Sequence, residues 1–286
     1  MMLNAIDLDS MARVARKQSD IRLSRYLCDT LAPLLPRLPS TPQYMPAFVD
    51  AAGKEAIAAG YSDGRQYNTH VTLSLLLGLG WQNDIHQATL NPILTAAGLP
   101  EPTRLNLVVN TAITLRQQTE RVMPQAHQIF ITLLSINPGA LQAENIWRAF
   151  EQSALLYGIN TPQRIQALFE TYEADALRQL ALPPVKRRKY SAYEQLGIRQ
   201  MTGHMPLPSD DLQHLQQHQL ICLGCHVLLA LSFGRFFYCN PLFSGLHDGL
   251  HDGLRQDLEP RQLCHFLLQF LQQHQRMLME EASNDN

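Results

Sequence analysis

The stretch that decides the fold is LICLGCHVLLALSFGRFF, residues 220–237, the most apolar run of the chain. It is close to the shortest length that spans a bilayer, and it contains His226 and Arg235. A helix that is apolar on every side is typical of the core of a large protein. We therefore predict a buried core helix, with a membrane-associated helix as the alternative interpretation.

The composition indicates a folded protein with little charge. Of the 286 residues, 45% are hydrophobic and 17% are charged, and the formal net charge is −2. This hydrophobic content excludes a disordered chain. A generic nucleic-acid-binding surface requires a clear basic excess, so we expect no nucleic-acid partner.

The N-terminus and the cysteines predict a cytoplasmic protein. Residues 1–7 contain neither the basic segment nor the apolar run of a secretory signal. Five cysteines are an odd number in a long chain, which favours reduced thiols over a disulfide framework. We expect a cytoplasmic protein with no membrane span.

Helix-capping signals recur along the chain. Thr41-Pro42 and Thr161-Pro162 each place a cap residue before a proline at the first helical position. Apolar helical runs end at glycines, and strand-type runs bounded by hairpin turns are scarce. The sequence predicts an all-α multi-helix bundle, in which residues 105–122 and 125–136 form separate helices.

Two prolines suggest a division of the bundle. Pro183-Pro184 opens the segment PPVKRRK, which is typical of an exposed linker. We predict an N-terminal helical domain at 1–182, a linker at 183–189 and a C-terminal helical region at 190–281. The polar tail at 282–286 is expected to fray.

Two pairs of segments suggest that the protein contains two related helical halves. LSLLLGLGW at 73–81 resembles LLALSFGRF at 228–236, and AAGY at 58–61 resembles LYGI at 156–159. The spacing between the segments differs in the two halves, so the repeat is not strict.

A short cysteine motif lies within the apolar run. Cys222, Cys225 and His226 match C-x-x-C-H, the c-type haem attachment pattern. The same residue types are also zinc ligands, but buried cysteines are ordinary core residues. We expect no cofactor, and a zinc site as the alternative, with its further ligands drawn from Cys239, Cys264 and His265.

A tandem repeat, HDGLHDGL at 247–254, offers an alternative function. On a helix His247 and His251 share one face, as do Asp248 and Asp252, which is a spacing that binds metals. The alternative hypothesis is a metal-dependent helical hydrolase that uses these four residues. A duplicated surface turn is the simpler explanation, because no matching set of ligands occurs elsewhere.

Residues 3–115 carry a recognisable order of motifs. A helix from Arg22 to Leu34 precedes one that closes at Gly60-Tyr61, and an apolar helix then closes at Gly80-Trp81 before the acidic residue Asp84 and a further helix around 92–94. This order resembles small helical accessory proteins of bacterial type VI secretion gene clusters, although the proline that usually follows the acidic residue is missing.

The resemblance implies a cytoplasmic, non-catalytic protein that binds a secreted toxin or its delivery machinery. Its role would be that of an effector escort (chaperone or adaptor) or of an immunity protein. Aromatic and arginine side chains are the usual anchors of such contacts, although most large aromatic residues are structural. The candidates for partner binding are Tyr61, Tyr67, Trp81, Trp147, Arg235, Phe237 and Tyr238.

Overall fold

In a computed structural model, the protein is built from helices. The structure describes residues 8–30, 40–62, 64–186, 188–209, 212–243, 245, 246, 249, 250 and 259–284. Within these residues there are ten α-helices and no β-strand, which confirms the predicted all-α fold.

The helices differ widely in length. They are α1 (Leu8–Thr30), α2 (Met45–Ala58), α3 (Gly64–Leu77), α4 (Asn91–Leu94), α5 (Glu101–Leu134), α6 (Ala143–Leu156), α7 (Pro162–Gln179), α8 (Ala192–Thr202), α9 (Gln217–Phe233) and α10 (Pro260–Asn284). The last helix extends into the tail that the sequence predicts to fray. Short 3-10 turns occupy Trp81–Asn83, Ile85–Leu90, Phe237–Cys239 and Pro241–Phe243, among others.

The apolar run forms the central helix, α9. Every residue from Leu220 to Phe233 is buried, and α9 packs against α5, α6, α7 and α10. The predicted core helix is therefore confirmed, and the alternative of a membrane-associated helix is corrected, because other helices cover this surface. None of the helices in the described parts of the chain has the length and apolar character required to cross a membrane.

The helix α5 runs through a proline. The sequence predicts two helices here, at 105–122 and 125–136, but α5 is continuous from Glu101 to Leu134 with Pro124 inside it. The side-chain amide of Gln275 on α10 donates a hydrogen bond of 2.9 Å to the carbonyl oxygen of Pro124. The helix α5 packs along α10, and this tertiary packing outweighs the local cost of a proline inside a helix.

One cluster of buried apolar side chains extends across the predicted linker. It contains residues from Leu27 in α1 to Leu278 in α10, and α9 is its largest contributor. A smaller cluster lies between α3, α5 and the 3-10 turn at 85–90. Segment 183–189, of which Arg187 lies outside the described residues, therefore joins two parts of one core.

The ends of α3 and α9 have the same local structure. Each helix is followed by a glycine with positive φ, Gly78 at 99° and Gly234 at 93°. A buried aromatic residue follows three positions later, Trp81 in the first segment and Phe237 in the second. The alignment predicted from sequence pairs Trp81 with Phe236. The structure pairs Trp81 with Phe237, a shift of one residue.

The repeat continues into the next turn. The Asp84 side chain accepts a hydrogen bond of 3.0 Å from the backbone N–H of His86, and the Asn240 side chain accepts one of 3.0 Å from that of Leu242. Each of these residues directly precedes a 3-10 turn. The segments after α3 and α9 therefore match in geometry as well as in sequence, whereas the relation between whole halves stays a prediction.

The two repeated segments cross with their backbones in contact. A Cβ atom at Gly78 would lie 3.0 Å from the carbonyl oxygen of Phe233, and one at Gly234 would lie 2.8 Å from that of Leu77. Only glycine permits such an approach, and these distances are too short for any side chain. We call the contact between Gly78 and Gly234 the glycine crossing.

Replacing Gly234 with alanine tests the glycine crossing. Gly234 combines φ 93° with ψ 152°, a conformation open almost only to glycine, and a methyl group there would also meet backbone. We expect Gly234→Ala to lower the free energy of unfolding by about 2–4 kcal/mol, measured by urea denaturation.

The control is Gly60→Ala. Gly60 has φ 87°, but no neighbouring atom lies within 4 Å of the position that a methyl group would occupy, so only the backbone strain applies. We expect it to cost about 1 kcal/mol. Equal losses for the two variants would show that the close approach contributes nothing.

Candidate functional site

A buried carboxylate joins the two repeated segments to α7. Asp84 is only 2% exposed. Its Oδ1 accepts hydrogen bonds from the Tyr172 hydroxyl at 2.9 Å and from the backbone N–H of His86, and its Oδ2 accepts one of 3.0 Å from the backbone N–H of Arg235. Burial, reinforced by Asp84, raises the pKa of Tyr172 well above its usual value.

Arg235 belongs to this network. Its Nε lies 2.6 Å from Oδ2 of Asp175, and its Nη1 donates a hydrogen bond of 2.9 Å to the carbonyl oxygen of Asn83. The Asp175 side chain is 2% exposed and that of Arg235 is 21% exposed. Hydrogen bonding to Asp175 raises the pKa of Arg235 further above its usual value. Arg235, predicted as a partner contact, therefore holds the crossing segments on α7.

A polar cleft opens beside the glycine crossing. It has a volume of about 330 Å³ and is lined by Asp84, His86, Arg116, Tyr157 and Gly234, among others. Arg116 is paired with Glu120 at 2.6 Å on the same helix, and the Tyr157 hydroxyl donates to Ser232 at 3.1 Å. Burial lowers the pKa of His86. Asp84 and Arg116 in the cleft thus make contacts within the fold, whereas Arg121 is exposed.

A second, more apolar groove continues along α5. It has a volume of about 510 Å³ and lies between α5 and α6, and Leu156 lines both the groove and the cleft. Together the two cavities follow α5 from Leu115 to Leu133 and reach Ile136 just beyond its end, and we call this surface the α5 groove. Its apolar members in the second cavity are Ile129, Leu133, Ile136, Ala149 and Leu156, and its polar members there are Gln125, Gln128, Thr132, Asn145, Arg148 and Gln152.

Most of the aromatic residues proposed as partner contacts lie in the core. Tyr67, Trp81, Trp147 and Phe237 are at most 5% exposed. The Trp147 indole N–H donates to the carbonyl oxygen of Met205 at 2.7 Å, and the Tyr67 hydroxyl donates to Asp20 at 2.7 Å. These four residues stabilise the fold, which corrects their assignment as surface anchors.

Tyr61 and Tyr238 are half-buried, and each packs against a histidine ring. Tyr61 packs against the ring of His70 at 5.9 Å, and Tyr238 packs against that of His226 at 5.3 Å. Sequence reasoning missed the residues of the α5 groove instead. Their signal is the run of exposed glutamines and apolar residues at helical spacing on α5, which the predicted break near Pro124 obscured.

The cysteines of the C-x-x-C-H motif are buried in α9. Burial, followed by the nearby Cys264, raises the pKa of Cys222 to about 12, and burial raises that of Cys225 well above its usual value. These thiols are protonated at neutral pH and are poor nucleophiles. Within the described ranges, no group of three or more His, Cys, Asp or Glu side chains is arranged to hold a metal ion.

The histidines and aspartates of the alternative hydrolase site, His247, Asp248, His251 and Asp252, lie outside the described residues. The chain matches no family model, no curated protein and no solved structure. The resemblance to type VI secretion accessory proteins therefore stays a prediction, and function must be inferred from the geometry.

Two buried histidines make the stability of the folded protein depend on pH. His70 lies between the rings of Tyr61 and Trp81, and burial lowers its pKa to about 4. His127 on α5 lies 2.9 Å from His274 on α10, and burial, followed by His274, lowers the pKa of His127 to about 3. Each is neutral in the folded protein at pH 7.

Acid should therefore destabilise the fold through His70. The unfolded state gains a proton near pH 6.5, whereas the folded state does so only near pH 4, so stability falls as the pH drops through this window. We expect His70→Phe to remove about 2 kcal/mol of the stability lost between pH 7 and pH 5, measured by urea denaturation at both values.

The control is His265→Phe, at an exposed position of α10. It is expected to keep the pH dependence of the wild-type protein. An unchanged pH dependence in His70→Phe would contradict the assignment.

Proposed function

We propose that the protein is a non-catalytic binding protein that receives a helix of a secreted toxin or of its delivery machinery. The observation that carries this proposal is the α5 groove, which combines apolar walls with a polar rim. The proposed class of partner rests on the resemblance of residues 3–115 to type VI secretion accessory proteins.

The dimensions of the α5 groove suit a helix. The distance along α5 from Leu115 to Leu133 is about 27 Å at 1.5 Å per residue, the length of a helix of roughly 18 residues. A groove between two helices accepts the ridge of a third, with apolar anchors at helical spacing. An amphipathic partner helix would therefore bury its apolar face against Ile129, Leu133 and Leu156.

The charges of the α5 groove favour an acidic partner. Arg121 and Arg148 line it and are both exposed. Glu120 is already paired with Arg116, so it offsets little of this positive charge. We expect acidic residues on the partner helix near these arginines, where they would set orientation and the rate of association.

The rim suits an interface that forms at low cost. Gln125, Gln152 and Asn145 donate and accept hydrogen bonds without carrying charge. Few ions then lose their hydration on binding, which is a large cost at charged interfaces.

Charge reversal tests the α5 groove. We expect Arg121→Glu combined with Arg148→Glu to weaken binding of the native partner about tenfold or more, because two complementary contacts become repulsive. The partner is captured from the native host with the tagged wild-type protein and identified by mass spectrometry. The affinity of the purified pair is then measured by calorimetry.

The matched control is Arg22→Glu combined with Arg25→Glu, at exposed positions of α1. It should bind as tightly as the wild-type protein. Unchanged affinity in the groove variant would refute the α5 groove as the interface, and a captured partner unrelated to toxins or spikes would refute the proposed class. Co-expression with the toxin separates the two roles, because an immunity protein restores growth whereas an escort supports secretion.

A further inference from the structure

The helix α8 presents apolar side chains to solvent. Tyr193 is 86% exposed, Leu196 55% and Met201 89%, and none of the residues of α8 is buried. Helical spacing places these three side chains on one face, together with Gly197 and Gln200. We call this surface, defined by Tyr193, Leu196 and Met201, the α8 face.

Positive charge is concentrated in the stretch of sequence that leads into and forms α8. Residues 186–202 contain five basic residues and one acidic residue, a net charge of +4 in a chain whose total is −2. Lys186, Arg188, Lys189 and Arg199 are exposed. The single acidic residue, Glu194, accepts hydrogen bonds from Ser191 in the capping box of α8.

We propose that the α8 face and the basic segment 186–189 dock the protein on an anionic lipid bilayer. A bilayer surface presents negative headgroups and an apolar interior in adjacent layers, which matches this pairing of features. Lysine and arginine near such a surface contribute attraction additively, and short apolar faces insert at the headgroup boundary. A tyrosine is suited to that boundary because it has an apolar ring and a polar tip.

The local geometry favours a lipid surface over an acidic protein. Lys186, Arg188 and Lys189 are exposed along one short segment, and the backbone N–H of Arg188 donates a hydrogen bond of 3.0 Å to the carbonyl oxygen of Pro208. The guanidinium of Arg188 lies 4.8 Å from the ring centroid of Tyr190, which keeps this charge close to the start of α8. A diffuse layer of lipid charge suits such an arrangement. Binding through three apolar side chains would be peripheral and reversible.

The helix α1 provides a demanding comparison. It also exposes apolar residues, with Met11 and Tyr26 each 61% exposed. However, its basic residues are interspersed with Asp9, Asp20 and Asp29. If exposed apolar and basic residues were sufficient in any arrangement, α1 would bind membranes as well as α8.

Vesicle sedimentation with the purified full chain tests the proposal. We expect binding to phosphatidylcholine vesicles that contain phosphatidylglycerol, weaker binding at high salt, and no binding to phosphatidylcholine alone. Lys186→Gln, Lys189→Gln and Arg199→Gln together should weaken binding about 100-fold. Tyr193→Ser with Met201→Ser should weaken it about tenfold, while circular dichroism shows an unchanged fold.

Matched variants on α1 are the controls. The charge control is Lys17→Gln, Arg22→Gln and Arg25→Gln, and the apolar control is Met11→Ser with Tyr26→Ser. Both should bind vesicles as the wild-type protein does. Three results would overturn the proposal: no binding to anionic vesicles, equal losses in the α1 variants, or full binding by Tyr193→Ser with Met201→Ser. The last would indicate attraction to any polyanion, including an acidic protein.

Discussion

The contact of two glycines without side chains is the constraint on which the structure depends. Gly78 and Gly234 bring the ends of α3 and α9 together at a distance that excludes even a methyl group. The Asp84 network then ties this crossing to α7 through Tyr172 and Arg235. The helix α9 also packs against α5, α6, α7 and α10, so the crossing fixes one end of a helix that the surrounding layers hold along its length.

The local sequence predicts the all-α fold, the central helix and the similar turns after α3 and α9, because caps, glycines and apolar runs act over a few residues. The local sequence does not predict the glycine crossing. The sequence alignment places Trp81 opposite Phe236, whereas the structure places it opposite Phe237, because the glycine with positive φ, and not the last apolar residue, sets the register. A shift of one residue in the alignment has no local sequence signal, because it depends on the contact between two segments that are distant in the chain.

The candidate site shows the same limit. An aromatic residue that contacts a partner and one that is buried in the core occur in the same local sequence pattern. The sequence therefore does not show that Trp81 and Trp147 are buried. The sequence does not reveal the α5 groove for a different reason. Pro124 predicts a break in the helix, whereas the packing of α5 along α10 has no local sequence signature. The sequence does show the concentration of basic residues at 186–189, because this feature depends on composition alone.

The late position of α9 in the chain has a consequence for synthesis. Residues 217–233 are translated after the helices that pack against them, α5, α6 and α7. The apolar surfaces of these three helices belong to the same core as α9. As the ribosome advances, those surfaces have no partner until α9 emerges, and such exposed surfaces attract chaperones or aggregate. A truncation upstream of α9 would therefore release a polypeptide that lacks the centre of its core, and a ribosomal pause there would prolong the exposure of these surfaces.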